Sequence, residues 1–213
     1  MDVTIIGAGN MGRGIGSRLV AGGHTVTLID QDPTKAQALA DELGQGRSNG
    51  ATVRVGTLNG IRGDVVVLAV YYPINKQLVR ELGSALDNKI VVDIANPLDF
   101  TTFEPATQPG SSSAEEVASV APSSARVVKS FNTTFAGTLV KGSVAGQPLD
   151  VFIAGDDQEA KNIVAQLARD GDLNPIDVGP LKRAQQVEGI GYLHITLQQR
   201  LNTGFQSAVK IVA

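Results

Sequence analysis

The chain has 213 residues, 42% hydrophobic and 18% charged, with a formal net charge of -3; that is enough apolar material for a sizeable core and excludes wholesale disorder. The acidic balance argues against nucleic acid as a partner, since nucleic-acid binders carry a basic excess. Cysteine is absent, which excludes disulfides, thiolate metal ligands and a cysteine nucleophile, and the two histidines, His24 and His194, form no His-x-x-x-His pair, so no metal site is expected.

Apolar runs of strand length alternate with segments of helical length. Val3–Gly7 reads as the first strand and Met11–Ala21 as a helix, with Ile15, Leu19 and Val20 on one side. Thr25–Asp30 is the second strand. Asp32-Pro33 opens the next helix, with Asp32 as N-cap and Pro33 at the first helical position, and the helix runs to about Leu43. Ala51–Val55 is a third strand, and Asp64–Val70 is continuously apolar in its middle, as a strand covered on both faces must be. Pro73–Leu82 reads as helix and Lys89–Ile94 as strand, and Asn96–Ser112 is a polar loop. Ser113 to Glu116 matches a capping box at a helix start. Arg126–Ser130, Leu149–Ala154 and Pro175–Val178 are further strands, with a helix over Gln158–Arg169. In the last segment Val187, Ile190, Leu193, Leu197 and Leu201 recur at helical spacing.

This alternation implies an α/β fold of the Rossmann type: a doubly wound, mainly parallel sheet with right-handed crossovers, followed by a short C-terminal helical segment. The boundary falls near Gly179-Pro180, giving a nucleotide-binding domain over 1–180 and a segment over 181–213 that covers the cleft or a partner subunit. The run Val3–Ile6 is shorter than the roughly 7–15 residues of a secretory h-region, and no stretch approaches the roughly 20 apolar residues of a membrane span. The expectation is a soluble cytoplasmic protein without a membrane partner.

Gly7-Ala8-Gly9-Asn10-Met11-Gly12 lies between a strand and a helix inside a βαβ unit, the context in which G-x-G-x-x-G marks a dinucleotide site. Gly7 permits the turn, Gly9 lets the pyrophosphate approach and Gly12 lets helix pack on strand. Asp30 ends the second strand, where a carboxylate bonds the adenosine ribose hydroxyls and repels a 2′-phosphate. Lys35, one helical turn on, is within reach of such a phosphate.

Several further segments carry a resemblance: Leu68-Ala69-Val70-Tyr71, Val92-Asp93-Ile94-Ala95-Asn96-Pro97-Leu98, Val128-Lys129-Ser130-Phe131-Asn132-Thr133, Ala154-Gly155-Asp156-Asp157 and Asp177-Val178-Gly179-Pro180-Leu181. With the glycine loop, they make the chain resemble the coenzyme F420-dependent NADP reductases, which pass hydride between nicotinamide and the deazaflavin F420. The resemblance implies that Val70 and Tyr71 border the adenosine and its ribose. It also implies that Asn96 and Pro97, after Ala95, line the nicotinamide ribose, and that Phe131 and Asn132 sit near the nicotinamide ring and its carboxamide. It implies a homodimer too, for which Gly189, Gly191 and Gly204 allow close approach; tight contacts inside one monomer would explain these glycines equally well. Typical members carry Ser-Arg after the second strand, gripping the 2′-phosphate, where this chain has Asp30-Gln31. NADP and NAD therefore both remain open as cofactor. The glycine loop is plainer than Gly-Gly-Thr-Gly and is similar to that of β-hydroxyacid dehydrogenases and pyrroline-carboxylate reductases.

Proton donors are scarce. His24 precedes the second strand, at the wrong end of the sheet, and His194 lies on or near the apolar face of the last helix. Tyr71, Tyr72 and Lys129 are the remaining candidates. Hydride transfer between two stacked rings needs no such group, so no catalytic acid or base is assigned. Lys182 and Arg183 fall near the expected cleft mouth, where they either attract an anionic tail or simply form a solvated helix start. The reading is an NAD(P)-dependent oxidoreductase acting on F420 or a similar ring. The alternatives are a dehydrogenase or imine reductase of a small metabolite, and a non-catalytic NAD(P) sensor.

Overall fold

The computed structural model describes residues 1–45, 50–99 and 101–212. The first half is regular: β1 (Asp2–Ile6), α1 (Asn10–Ala21), β2 (Thr25–Ile29), α2 (Pro33–Gly44), β3 (Thr52–Val55), β4 (Val65–Leu68), α3 (Tyr72–Leu82) and β5 (Ile90–Asp93). Then come α4 (Ser113–Ala118), β6 (Arg126–Lys129), α5 (Ala136–Lys141), the hairpin β7 (Ser143–Val144) and β8 (Gln147–Pro148), β9 (Asp150–Gly155), α6 (Gln158–Asp170), β10 (Asn174–Gly179) and α7 (Ala184–Leu201). The main sheet has eight strands in the order β10-β9-β6-β5-β4-β1-β2-β3.

The fold follows from strands that are apolar on both faces. Every residue of β4 and β5 is buried, so each face needs a layer of helices. One layer rests on Ile15 and Leu19 of α1, Leu39 and Leu43 of α2, and Val164 and Leu167 of α6. The other rests on Leu78, Val79 and Leu82 of α3 with Ala114 and Val117 of α4. Strands β1 to β6 are parallel, and β1 lies between β2 and β4 with Ile6 level with both Ile29 and Leu68. Their carboxyl ends therefore form one edge, on which Gly7, Ala69, Ile94 and Ser130 continue the chain.

The sheet departs from the expected run of crossovers at β9. It pairs antiparallel to β6, with Val128 opposite Gly155, and β10 pairs parallel to β9. The cause is the link after β6. Helix α5 has only 6 residues, a rise of about 9 Å, and the β7–β8 hairpin turns the chain back at Gly142, whose carbonyl accepts the Leu149 N–H. The chain thus enters β9 from the carboxyl-edge side and runs back down the sheet. Neither α5 nor the hairpin was foreseen from sequence. The helix cap also differs by one residue: Ser112, not Ser113, is the N-cap of α4 and accepts the Glu115 N–H. Among the described residues no helix is long and apolar enough to cross a membrane.

The glycine turn joins the first strand to its helix with no spare room. Gly7 has φ +111°, and a Cβ on Gly12 would lie 2.0 Å from the Gly7 carbonyl oxygen. That neighbour is backbone and cannot step aside. Gly12→Ala is expected to destabilise the protein by about 3 kcal/mol through overpacking, measured as a shift in the urea-unfolding midpoint at unchanged slope.

Candidate functional site

Helix α1 begins at Gly9 with no side chain capping its first turn and no acidic residue in that turn. Its leading N–H groups are the ones an α-helix leaves unsatisfied, and they sit at the positive end of the helix dipole. A Cβ built on Gly9 would meet nothing within 4 Å. The space before these amides is open to an anion, and a dinucleotide pyrophosphate fits this arrangement. Ala8, Asn10 and Met11 complete the loop. Behind Gly7, a Cβ would strike Ala69 O at 2.3 Å and Val70 Cγ1 at 3.3 Å, so Val70 packs directly against the turn. Tyr71 caps α3 and is 73% exposed.

Asp30 follows β2. Its Oδ2 accepts the Ala8 N–H at 2.7 Å and its Oδ1 accepts the Asp32 N–H at 2.9 Å. The carboxylate therefore ties the glycine loop to the end of the second strand. Gln31 and Lys35 are exposed beside it. Asp32 caps α2 by accepting the Thr34 N–H at 2.9 Å, with Pro33 in the first turn, as the sequence indicated.

On the other half of the edge, Asn96 and Asn132 pair reciprocally. Asn96 Nδ2 donates to Asn132 O at 2.7 Å, and Asn132 Nδ2 donates to Asn96 Oδ1 at 2.9 Å and to Val187 O at 3.1 Å. Asn132 is buried, and its Oδ1 has no hydrogen-bond partner. Ala95 and Pro97 are buried on either side of Asn96. Phe131 is placed differently from its expected position at a ring: its side chain is 4% exposed and belongs to the core. Its backbone, at φ +60°, makes the bend that presents Asn132, a conformation costly for a bulky residue and held by its surroundings.

Helix α7 supplies the floor of this region. The expected apolar stripe was Val187, Ile190, Leu193, Leu197 and Leu201, but the buried residues are Ala184, Val187, Glu188, Gly191, His194 and Gln198. Leu193 and Leu201 are 61% and 60% exposed. Polar groups at the ends of β5 and β6 need polar partners, and this face provides them. A Cβ on Gly191 would lie 2.4 Å from Asn96 Oδ1, so the glycine serves a contact inside the monomer. Among the described residues nothing lies within 4 Å of a Cβ built on Gly189 or Gly204. Tyr192 Oη donates to Pro97 O at 3.1 Å, and burial raises its phenol above the ordinary range.

Beneath the asparagine pair lies an ion cluster that sequence reasoning missed. Asp93 and Lys129 are register partners on β5 and β6. Lys129 is completely buried, with Nζ 2.8 Å from Asp93 Oδ2 and 2.7 Å from Glu188 Oε1, and it also donates to Ala95 O. Asn75 Nδ2 donates to Asp93 Oδ1 at 2.7 Å, and the Ser113 N–H to Glu188 Oε1 at 3.0 Å. Burial pushes the Glu188 carboxyl up to about 7, against the opposing pull of Lys129 and with the help of the Asp93 charge. The available signal was a charged residue ending each of two fully apolar strands, Val92-Asp93 and Val128-Lys129.

Of the candidate proton donors, Lys129, Tyr72, His194 and His24 are engaged by other protein groups, while Tyr71 is exposed at the start of α3. Lys129 has three acceptors. Tyr72 Oη donates to Glu116 at 2.9 Å, and burial, then that bond, pushes its phenol up to about 12. His194 is buried, its Nδ1 donating to Thr133 O at 3.1 Å and its Nε2 lying 2.8 Å from Ser207 Oγ; burial lowers its pKa, leaving it neutral. His24 is buried 3.2 Å from Asp170, at the amino end of the sheet. Lys182 and Arg183 are exposed. They follow β10, which runs down the sheet, and Leu181 N–H bonds Asp156 beyond the end of β9.

The fold and this edge define a Rossmann-type dinucleotide-binding protein. Residues 2–97 match the family model for NADP oxidoreductase, coenzyme F420-dependent. The chain is 30% identical over 211 residues to the F420-dependent NADP reductase of Methanocaldococcus jannaschii, covering 92% of each. It is 33% identical over 188 residues to metalloreductase STEAP3 of Rattus norvegicus, covering 88% of this chain and 36% of that one; the chain thus spans about a third of the metalloreductase. A crystal structure of a candidate F420-dependent NADP reductase from Arthrobacter sp. FB24 superposes with a TM-score of 0.83 at 29% identity over 100% of both chains. The chain belongs to the F420-dependent NADP reductase family, a family of NADP-linked oxidoreductases.

Two outcomes follow for the ion cluster. Lys129→Met leaves Asp93 and Glu188 facing each other without a counter-charge, and a loss of about 3–5 kcal/mol is expected in urea unfolding. Glu188 binds its proton more tightly folded than unfolded, so its contribution to stability is full below about 4.5 and is lost as pH rises through about 7. Relative to Glu188→Gln, the wild-type protein should lose roughly 3 kcal/mol across that window, read from melting curves at stepped pH.

Proposed function

We propose that this protein transfers hydride between a nicotinamide dinucleotide and coenzyme F420 or a similar ring acceptor. In this reading the pyrophosphate rests on Gly7, Ala8, Gly9, Asn10 and Met11. The adenosine lies beside Asp30, Gln31, Lys35, Val70 and Tyr71, and the nicotinamide half lies beside Ala95, Asn96, Pro97 and Asn132, with the core residue Phe131 making the bend that presents Asn132. When bound, the nicotinamide supplies or accepts the hydride. The chain's own part is to hold two planar groups in contact, and Asn96 and Asn132 brace each other for it.

The observation that carries the reading is the engagement of Lys129, Tyr72 and His194 by other protein groups beside a preformed asparagine pair. Carbonyl or imine reduction calls for a positioned proton donor; ring-to-ring transfer does not. Segment 181–213 acts in this reading as the flank of the cleft, through Val187, Glu188 and Gly191. The exposed Leu193 and Leu201, with half-buried Ile190 and Leu197 on the same helix, favour a homodimer through α7, since an exposed apolar patch marks an interaction surface.

The test is a matrix of NADH and NADPH against F420, FMN, FAD and a panel of carbonyls and imines, followed by nicotinamide absorbance. F420 or a flavin should accelerate cofactor oxidation, while the carbonyl panel does not. Asn132→Ala should lower that turnover by about 100-fold, the cost of losing alignment near the reacting atoms. Turnover of a carbonyl or imine with no response to any ring acceptor would overturn the proposal.

A further inference from the structure

The family and its Methanocaldococcus jannaschii member are named for NADP, so the residues that would meet a 2′-phosphate are decisive. That phosphate hangs from the adenosine ribose, which in this fold lies just beyond the end of the second strand. The position is filled by Asp30. Its carboxylate cannot swing aside freely, because Oδ2 holds the Ala8 N–H at 2.7 Å and Oδ1 holds the Asp32 N–H at 2.9 Å. Moving it would leave both amides unpaired and untie the glycine loop from the strand. A second carboxylate, Asp32, stands two residues on, fixed by its bond to Thr34 N. Gln31 between them is exposed and neutral, and Lys35 is an exposed cation one turn into α2.

A pinned carboxylate with lone pairs remaining suits a vicinal diol, which donates to it, and opposes a phosphate dianion, which cannot. The glycine loop fits a dinucleotide; the Asp30 position does not fit the 2′-phosphate of NADP. We propose that this chain selects NAD(H) over NADP(H), and that Asp30 sets the choice. The inference rests on the reading that the glycine loop holds a nicotinamide dinucleotide.

The test is equilibrium binding of the full chain to NADH and to NADPH, followed by nicotinamide fluorescence without any acceptor. NADH should bind at least about tenfold more tightly. Asp30→Asn keeps an acceptor oxygen and the side-chain shape but removes the charge, and the ratio should move toward one, chiefly by tighter NADPH binding. Its melting curve shows whether the loop tie survives. Equal or tighter binding of NADPH by the unaltered chain overturns the inference and leaves the hydride-transfer reading standing. Specific weakening of NADPH by Lys35→Ala, about tenfold, would place a 2′-phosphate site on α2 and also overturn it. Failure of both cofactors to bind would remove the functional reading itself, and this inference with it.

Discussion

Lys129 joins β6 to two parts of the chain that are far from it in sequence. Its ammonium reaches Asp93 on β5, Glu188 on α7 and the carbonyl of Ala95, which begins the Asn96–Pro97 turn. An ammonium inside a protein is tolerated only when its donors are fully used, and here each of the three has an acceptor. The arrangement fixes the height at which α7 crosses the sheet edge, and so it fixes Gly191 against Asn96 and Val187 against Asn132. Two carboxylates share the one ammonium; burial is the main reason Glu188 holds its proton, and the Asp93 charge adds to it against the pull of Lys129. The asparagine pair sits on top of this cluster.

The opposite half of the edge is organised by backbone rather than by charge. Gly7 and Gly12 allow α1 to begin close against β1, and Asp30 fastens the loop to β2. The two halves differ in chemistry as the two ends of a dinucleotide do. One end offers free amides and a carboxylate; the other offers amide side chains on a rigid base. Both depend on the parallel register of β1 to β6, which brings residues from five strands to one edge.

Much of this was legible in the sequence, because the signals are local. The glycine loop, Asp32-Pro33 and the apolar runs of β4 and β5 each carry their own physical requirement within a few residues. The reversal of β9 was not legible. Its direction depends on where α5 and the hairpin leave the chain, and an isolated apolar run such as Leu149–Ala154 reads the same in either direction. The face of α7 was misread for a related reason. Periodicity ranks residues by hydrophobicity, whereas the buried face was selected by the partners it meets: Lys129 required Glu188, Asn96 required Gly191, and the Thr133 carbonyl required His194. Lys129 itself could be read as a proton donor until its three acceptors were seen.

The ion cluster also constrains how this sequence can drift. Replacing Lys129 alone strands two buried carboxyl groups, and replacing Asp93 or Glu188 alone takes an acceptor from the buried ammonium, whereas exchanging the set for well-packed apolar residues need cost little. The path between those two solutions crosses less stable intermediates. Substitution at any one of the three positions is therefore tied to the other two, and in diverging descendants of this chain they would be kept together or lost together, although they lie on two strands and a helix separated by as many as 95 positions in the chain.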